Sequence, residues 1–240
     1  MSIKNILKNK IRNAIGFSET NKNIDVLLSK FSNLEQVTNL VATFNSAQYI
    51  EEYMPMAKPV NSSFDVFDFV FEKYPVTSGL VLEFGVFTGK SINYIANKIK
   101  LDVFGFDSFE GLPENWRDGF AQGAFDLKGS GLPECKPNVH LIKGWFEHTI
   151  PIFLNDHNEK ISFIHVDCDL YSSTTTIFEM LKDQLAETVI IVFDEYFNYP
   201  GWKKHEHLAF MEFINKTGYK YDYICYNKNH EQVAVRLKTN

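Results

Sequence analysis

Apolar and polar positions follow two different periods along this chain, and the change comes near residue 63. Up to about residue 60 the spacing is helical. Ile3, Ile6, Leu7, Ile11, Ala14 and Ile15 share one face, with Lys4, Lys8, Lys10 and Arg12 on the others. A basic amphipathic helix of this kind can rest on an anionic membrane surface or, as most such helices do, pack on its own domain or on a second subunit. The stretch from Ala47 to Val60, with Tyr49, Glu51, Tyr53, Met54 and Met56, reads either as a lid over a site or as a packing arm. Residues 1–63 are accordingly read as an N-terminal helical extension and 64–240 as the main domain.

From Phe64 onward helical patterns alternate with short apolar runs. A helix from Phe64 ends near Tyr74, because the residue before Pro75 disfavours helical backbone. Strands are predicted at Leu80–Phe84, Val103–Asp107, Val139–Lys143, Ile161–Asp167 and Thr188–Phe193, with helices such as Ser91–Lys100 and Ser173–Gln184 between them. Such alternation gives an α/β fold: a parallel sheet covered by helices on both faces. The chain ends differently. Tyr219–Tyr226 and Glu231–Leu237 are β-like runs joined by the short polar stretch Asn227–His230, too short for a parallel crossover, so they form an antiparallel hairpin.

Within this frame the run Val81-Leu-Glu-Phe-Gly-Val-Phe-Thr-Gly-Lys-Ser91 places a glycine turn between a buried strand and a helix. Gly85 and Gly89 let the backbone turn tightly and approach a ligand, and the helix N-terminus favours an anionic group. Phe87 stands where the dinucleotide fingerprint has its second glycine, so a pyrophosphate fits poorly here. A carboxylate needs less room, and Ser91 can hydrogen-bond it. Glu83 at the strand end suits an ammonium or a water beneath a cofactor; its plainer reading is a cap or ion pair. Asp107, followed by Ser108, ends the next strand, where an acid roughly 20 residues past the glycine turn clamps ribose hydroxyls.

Two acidic clusters follow later strands: Phe163-Ile-His-Val-Asp-Cys-Asp169 and Val189-Ile-Ile-Val-Phe-Asp-Glu195. Strand alternation puts Asp167 and Asp169 on one side. On neighbouring parallel strands, Asp167, Asp169, Asp194 and Glu195 meet at the carboxyl edge, where open α/β sheets bind ligands. Crowded carboxylates repel unless some are protonated or a cation sits among them. An all-oxygen set suits Mg²⁺ first, with Mn²⁺ or Ca²⁺ as options. Helix capping without any metal is the competing reading. His165, inside an apolar strand, reads as a satisfied core histidine.

Charge and composition then narrow the partners. The 240 residues carry a net charge of −6, which argues against sequence-independent nucleic-acid binding, since that needs a basic footprint, while leaving room for a local basic patch. Three cysteines, Cys135, Cys168 and Cys225, lack metal-ligand spacing, and their odd number predicts no structural bridge and a reducing, cytoplasmic location. No apolar run is long enough to span a bilayer, and the lysine-bearing N-terminus lacks the apolar core of a signal peptide.

Five ordered strings, VLEFGVFTGKS, FGFDSFEGLPE, GWFEHTIP, HVDCDLYSST and FDEYFNYPGW, cover most of residues 80 to 202. Together they resemble the TylF-like group of class I methyltransferases, the macrocin, mycinamicin and novobiocin type of sugar O-methyltransferase. The resemblance implies a Rossmann-like sheet closed by the C-terminal antiparallel hairpin, S-adenosyl-L-methionine as methyl donor, and Mg²⁺ or Mn²⁺. By position it implies Glu83, Gly85 and Ser91 at the methionine part, Asp107 with its neighbour Ser108 at the ribose, and Phe146 and Glu147 by the adenine. It further implies Asp167, Asp194 and Glu195 as metal ligands, Asp167 also bordering the cofactor, and Asp169 as general base. The second cluster is Asp-Glu here, where Asp-Asp also occurs in the family. Catechol O-methyltransferases look similar in glycine turn and metal set, but their catalytic lysine has no equivalent beside Asp169. A homodimer, formed through the N-terminal arm, is likewise implied by resemblance alone.

The reaction implied is methyl transfer to a hydroxyl of a small, sugar-like acceptor. An alkyl hydroxyl is a poor nucleophile at neutral pH; a divalent ion lowers its pKa, and Asp169 then takes the proton. Trp116, Arg117, Phe120, Tyr196, Tyr199 and Trp202 are candidates for the acceptor wall, with packing as the alternative for several. Rival readings are a haloacid-dehalogenase-type phosphatase, which the Tyr171 after DCDL disfavours, a DxD glycosyltransferase, which leaves the glycine turn unexplained, and a binding module without turnover.

Overall fold

The computed structural model describes residues 33–239, so the amphipathic pattern at Ile3–Ile15 lies outside the described residues. Fourteen main elements follow one another: α1 (Leu34–Tyr53), β1 (Lys58–Val60), α2 (Ser63–Lys73), β2 (Leu80–Phe84), α3 (Lys90–Lys98), β3 (Val103–Asp107), β4 (Val139–Lys143), α4 (Phe146–Asp156), β5 (Ile161–Val166), α5 (Tyr171–Leu181), β6 (Leu185–Phe193), α6 (Glu206–Thr217), β7 (Lys220–Asn227) and β8 (Val233–Lys238). The strands form one eight-stranded sheet in the order β1-β7-β8-β6-β5-β2-β3-β4. β4, β3, β2, β5 and β6 run parallel, and β8 is antiparallel to both β6 and β7. The expected parallel sheet finished by a hairpin is therefore the observed fold.

β2 and β5 read as unbroken apolar runs because helices cover both faces. Leu80, Leu82, Phe84 and Ile164 join one core cluster, with Phe178 and Phe210 from α5 and α6. Val81 and Phe163 join the other, with Phe67 from α2 and Ile92 from α3. No helix among the described residues is long and apolar enough to cross a membrane. Cys135, Cys168 and Cys225 are all free thiols.

β1 has no counterpart in the sequence pattern. It adds a parallel edge to β7 through the pairings Lys58–Cys225 and Val60–Asn227. None of residues 47–60 borders the cavity described below. Within this stretch Tyr49 and Met54 are buried, and the Tyr49 hydroxyl bonds that of Tyr223 at 2.6 Å.

Candidate active site

Strand order sets the position of the site before any side chain is considered. From β2 the chain moves outward to β3 and β4, then returns to place β5 on the other side of β2. That reversal opens a crevice at the carboxyl ends of β2 and β5, where α/β sheets bind ligands. Strand ends stand level there, because the ladders continue one residue further: Gly85 N–H bonds Phe106 O, Asp167 N–H bonds Phe84 O and Asp194 N–H bonds Val166 O, all at 2.8–2.9 Å. A cavity of about 920 Å³ occupies the crevice.

The glycine turn forms one wall. Gly85 has φ of +92° and lies so close to β5 that a Cβ there would overlap the carbonyl oxygen of Asp167. Phe87 follows with φ of +47°, a left-handed backbone that costs a non-glycine residue on the order of 1–3 kcal/mol. Asp107 holds it: one carboxylate oxygen accepts from the amides of Val86 and Phe87, both at 2.8 Å, and the other from Phe109 N–H at 2.7 Å. Three of the roughly four lone-pair sites of that carboxylate are thus taken, leaving one open. Ser108 is buried beside it and accepts from the Glu110 amide at 3.1 Å.

Ser91, Phe146 and Glu147 all border the cavity, together with Gly144 and Trp145. Glu83 does not. It is fully buried behind the wall, with Ser91 Oγ donating to one oxygen at 3.0 Å and His165 Nδ1 3.1 Å from the other. Burial raises its pKa, and the partner His165 opposes that. Glu83, implied at the methionine part, thus meets Ser91 and His165 rather than the cavity itself.

Opposite the glycine turn, Asp167, Asp169, Asp194 and Glu195 all face the cavity. Burial, and after it the charge of Asp194, pushes the carboxyls of Asp167 and Glu195 well above the usual range. The same two causes bring Asp169 up to about 7, against the pull of Arg117. Asp169 also has φ of +64°, a second strained residue at the site. Lys90 is the one lysine or arginine among the described residues that border the cavity, against six acids: Asp107, Glu147, Asp167, Asp169, Asp194 and Glu195. Such a pocket selects cationic ligands.

The acids also fit a divalent ion. His165, Asp167 and Asp194 each bring one donor atom within 4.8 Å of the others, and His165 Nε2 and Glu195 Oε2 are buried without any partner. Glu195 borders the same cavity but is not among the three residues whose donor atoms converge. Its amide instead accepts the embrace of α6, donating to Glu206 Oε2 at 3.2 Å. His165 is thus only half satisfied, which corrects its reading as a satisfied core histidine.

Two residues escaped the sequence reading. Gln232 on the β7–β8 connection is buried, borders the cavity and donates from Nε2 to Asp194 Oδ1 at 3.0 Å, itself held by Asn227 Nδ2 at 2.7 Å. Glu206 is fully buried at the start of α6. Neither carries a local motif. Conversely, none of the six aromatic and basic candidates for the acceptor wall borders the cavity. Tyr196, Tyr199 and Trp202 are core residues. Arg117 lies 3.9 Å over the Trp116 ring and 4.4 Å over Tyr199, paired with Glu231 at 3.1 Å.

Sheet order, switch-point cavity and glycine turn define a class I methyltransferase fold. Residues 82–196 match the family model described as Methyltransferase domain. A curated relative, the 8-demethyl-8-(2,3-dimethoxy-alpha-L-rhamnosyl)-tetracenomycin-C 4'-O-methyltransferase of Streptomyces olivaceus, is 27% identical over 143 residues, 49% of this chain and 53% of the relative. The match thus spans about half the length of that relative. Among solved structures, the calicheamicin methyltransferase CalS11 aligns with 98% of this chain and 93% of its own at 18% identity and a TM-score of 0.56. The apo structure of CalS11, described as a TDP-rhamnose 3'-O-methyltransferase, aligns with a TM-score of 0.51 at 18% identity, over 98% and 95% of the two chains. At such identity these two likenesses concern the fold.

Proposed function

We propose that the chain transfers a methyl group from S-adenosyl-L-methionine to a hydroxyl of a small molecule, a sugar or glycosylated metabolite, with a divalent cation held by Asp167 and Asp194. The observation that carries this reading is the single acidic cavity that joins the glycine turn at Gly85 to the carboxylates of Asp167, Asp169 and Asp194. The sugar-like acceptor rests on the relative from Streptomyces olivaceus, which is named for methylation on a rhamnosyl group. When bound, the methyl donor supplies an electrophilic carbon beside a sulfonium, and the cation supplies Lewis acidity that lowers the pKa of an acceptor hydroxyl.

The chain's own groups do the rest. Gly85, lacking a Cβ, lets the glycine turn pack directly against the Asp167 backbone at the end of β5. Asp107 fixes the turn and retains one acceptor site for a ribose hydroxyl. Ser91, held by Glu83, and the first turn of α3 face the methionine end, and Phe146 and Glu147 the adenine end. Gln232 fixes Asp194. Asp169, brought to about 7 by burial and Asp194, is matched to accept a hydroxyl proton near neutral pH.

Calorimetric titration with S-adenosylhomocysteine, with and without Mg²⁺, followed by methyl-transfer assays on nucleotide-linked and glycosidic sugars, tests this function. Binding of S-adenosylhomocysteine and transfer to a sugar hydroxyl are expected. Silence toward S-adenosylhomocysteine overturns the donor assignment, and transfer undiminished by EDTA overturns the cation.

A further inference from the structure

We infer that Arg117 is a positioning residue of the site: by pairing with Glu231 it ties the loop that walls the cavity to the turn of chain that holds Asp194. The inference rests on the cavity being the place of the reaction proposed above, and deepens that reading.

The connection between β3 and β4 forms a strap whose two sides are fastened to each other. Leu112 N–H bonds Ala124 O at 2.8 Å, and Gly123 N–H bonds Leu112 O at 2.9 Å. The tip is closed by Trp116 N–H on Phe120 O at 3.0 Å. A surface loop of this size with its ends together is a packed unit. Its inner residues Gly111, Leu112, Pro113 and Phe125 border the cavity, so the anchoring of the tip decides where that wall stands.

The anchor is Arg117. Its Nη1 lies 3.1 Å from both carboxylate oxygens of Glu231, and the two side chains are 23% and 11% exposed. Its guanidinium lies over the ring of Trp116, in the strap, and over that of Tyr199, which follows β6. A flat, forked cation serves carboxylate and rings together, as an ammonium does not.

Glu231 belongs to the frame of the acid cluster. β8 pairs antiparallel with β6, Val233 opposite Phe193, and the ladder continues so that Tyr196 N–H donates to Glu231 O at 3.1 Å. The next residue, Gln232, donates to Asp194 Oδ1 at 3.0 Å. Two consecutive side chains thus hold the strap and the Asp194 carboxylate. Cavity wall and carboxylate are set from one piece of backbone, although Arg117 itself does not border the cavity.

The rival account makes the ion pair a stability contact alone. The accounts part when both charges are removed together, because replacing a buried pair by apolar side chains of similar size is often neutral for stability. Arg117→Met/Glu231→Leu should therefore melt within about 4 °C of the natural protein. What it loses is position.

Hydrogen exchange read by mass spectrometry on peptides covering 108–127 and 192–200 of the full chain tests this, beside calorimetry with S-adenosylhomocysteine. In the double variant both peptides should exchange about tenfold faster or more. Affinity for S-adenosylhomocysteine should fall by about fivefold or more. Arg117→Lys keeps the charge and loses the fork; it should loosen both peptides to a smaller extent, and it carries the test if the double variant does not fold. Loosening confined to 108–127, or none, with S-adenosylhomocysteine bound as in the natural protein, overturns the inference and leaves the proposed function standing. A natural protein that does not bind S-adenosylhomocysteine overturns the methyl-donor reading and, with it, the role of the tie in the reaction.

Discussion

Asp107 Oδ2 sits 2.8 Å from the amide of Phe87, a residue whose φ of +47° would otherwise relax. The acid at the end of β3 is therefore a brace for the glycine turn, and the ribose contact proposed for it would be a second role. Asp107→Ala removes the acceptor of three backbone amides and should lower the unfolding free energy by about 1–3 kcal/mol, at the rate of an unsatisfied buried group. Affinity for S-adenosylhomocysteine should fall with it by at least about tenfold, since about 1.4 kcal/mol of lost binding suffices for that. Thermal unfolding and calorimetry on the same variant measure both, and intact affinity with lowered stability would confine Asp107 to the brace.

Gly85 and Gly89 should behave differently although one turn contains both. A Cβ on Gly85 collides with backbone of β5, while on Gly89 it meets the Pro133 Cβ at 3.2 Å and the Asn93 side chain at 3.3 Å, groups that can give. Gly89→Ala should cost about 1–2 kcal/mol, the usual strain of left-handed backbone. Gly85→Ala should cost more than that and abolish cofactor binding. Chemical denaturation compares the two, and equal losses would refute the close approach at Gly85.

The acid cluster gives stability a pH dependence with a defined sign. Asp167, Asp169, Glu195 and Glu206 all have carboxyls raised by burial and by mutual repulsion, Asp169 to about 7. Unfolded, each titrates near the ordinary carboxylate value of about 4. The folded metal-free protein therefore holds more protons in this window, and its stability, full below about pH 4, falls as pH rises through 7. Melting temperature measured without metal should be higher at pH 5 than at pH 8. Added Mn²⁺ should raise it more at pH 8, where the carboxylates are charged. A flat or rising profile without metal would show that the carboxyls are not raised.

The residues of this cluster also mark where the sequence could be read and where it could not. β2, β3, β5 and β6 were legible because burial on both faces writes them as apolar runs, and their last residues bring Asp107, Asp167 and Asp194 with them. β1 was not, since Lys58-Pro-Val60 has no period and exists only because β7 offers an open edge. Asp194 and Glu195 look like an equivalent pair in the sequence and both border the cavity, yet only Asp194 brings a donor atom close to those of Asp167 and His165. The role of His165 depends on its register with Glu83, and that of Gln232 on the β6–β8 pairing that brings it to Asp194. Register across a sheet is not a local property of sequence.

Asp169→Asn provides the test of the proton acceptor. The residue is 6% exposed and held at φ of +64°, a backbone that asparagine adopts more readily than most residues, so the variant should fold. It keeps the shape of the side chain and loses the basic oxygen. S-adenosylhomocysteine and Mn²⁺ should bind within about threefold of the natural protein, because neither depends on a base, while kcat should fall by about 10²–10⁴-fold, the usual worth of general base catalysis. The fall should also lose its pH dependence. In the natural protein kcat should climb as Asp169 deprotonates, with the bound cation moving that step below 7 by stabilising the charged form. A variant with unchanged kcat would assign the proton to another acceptor, and Glu195, which borders the same cavity, is the next candidate. A variant that loses Mn²⁺ as well would make Asp169 a ligand rather than a base.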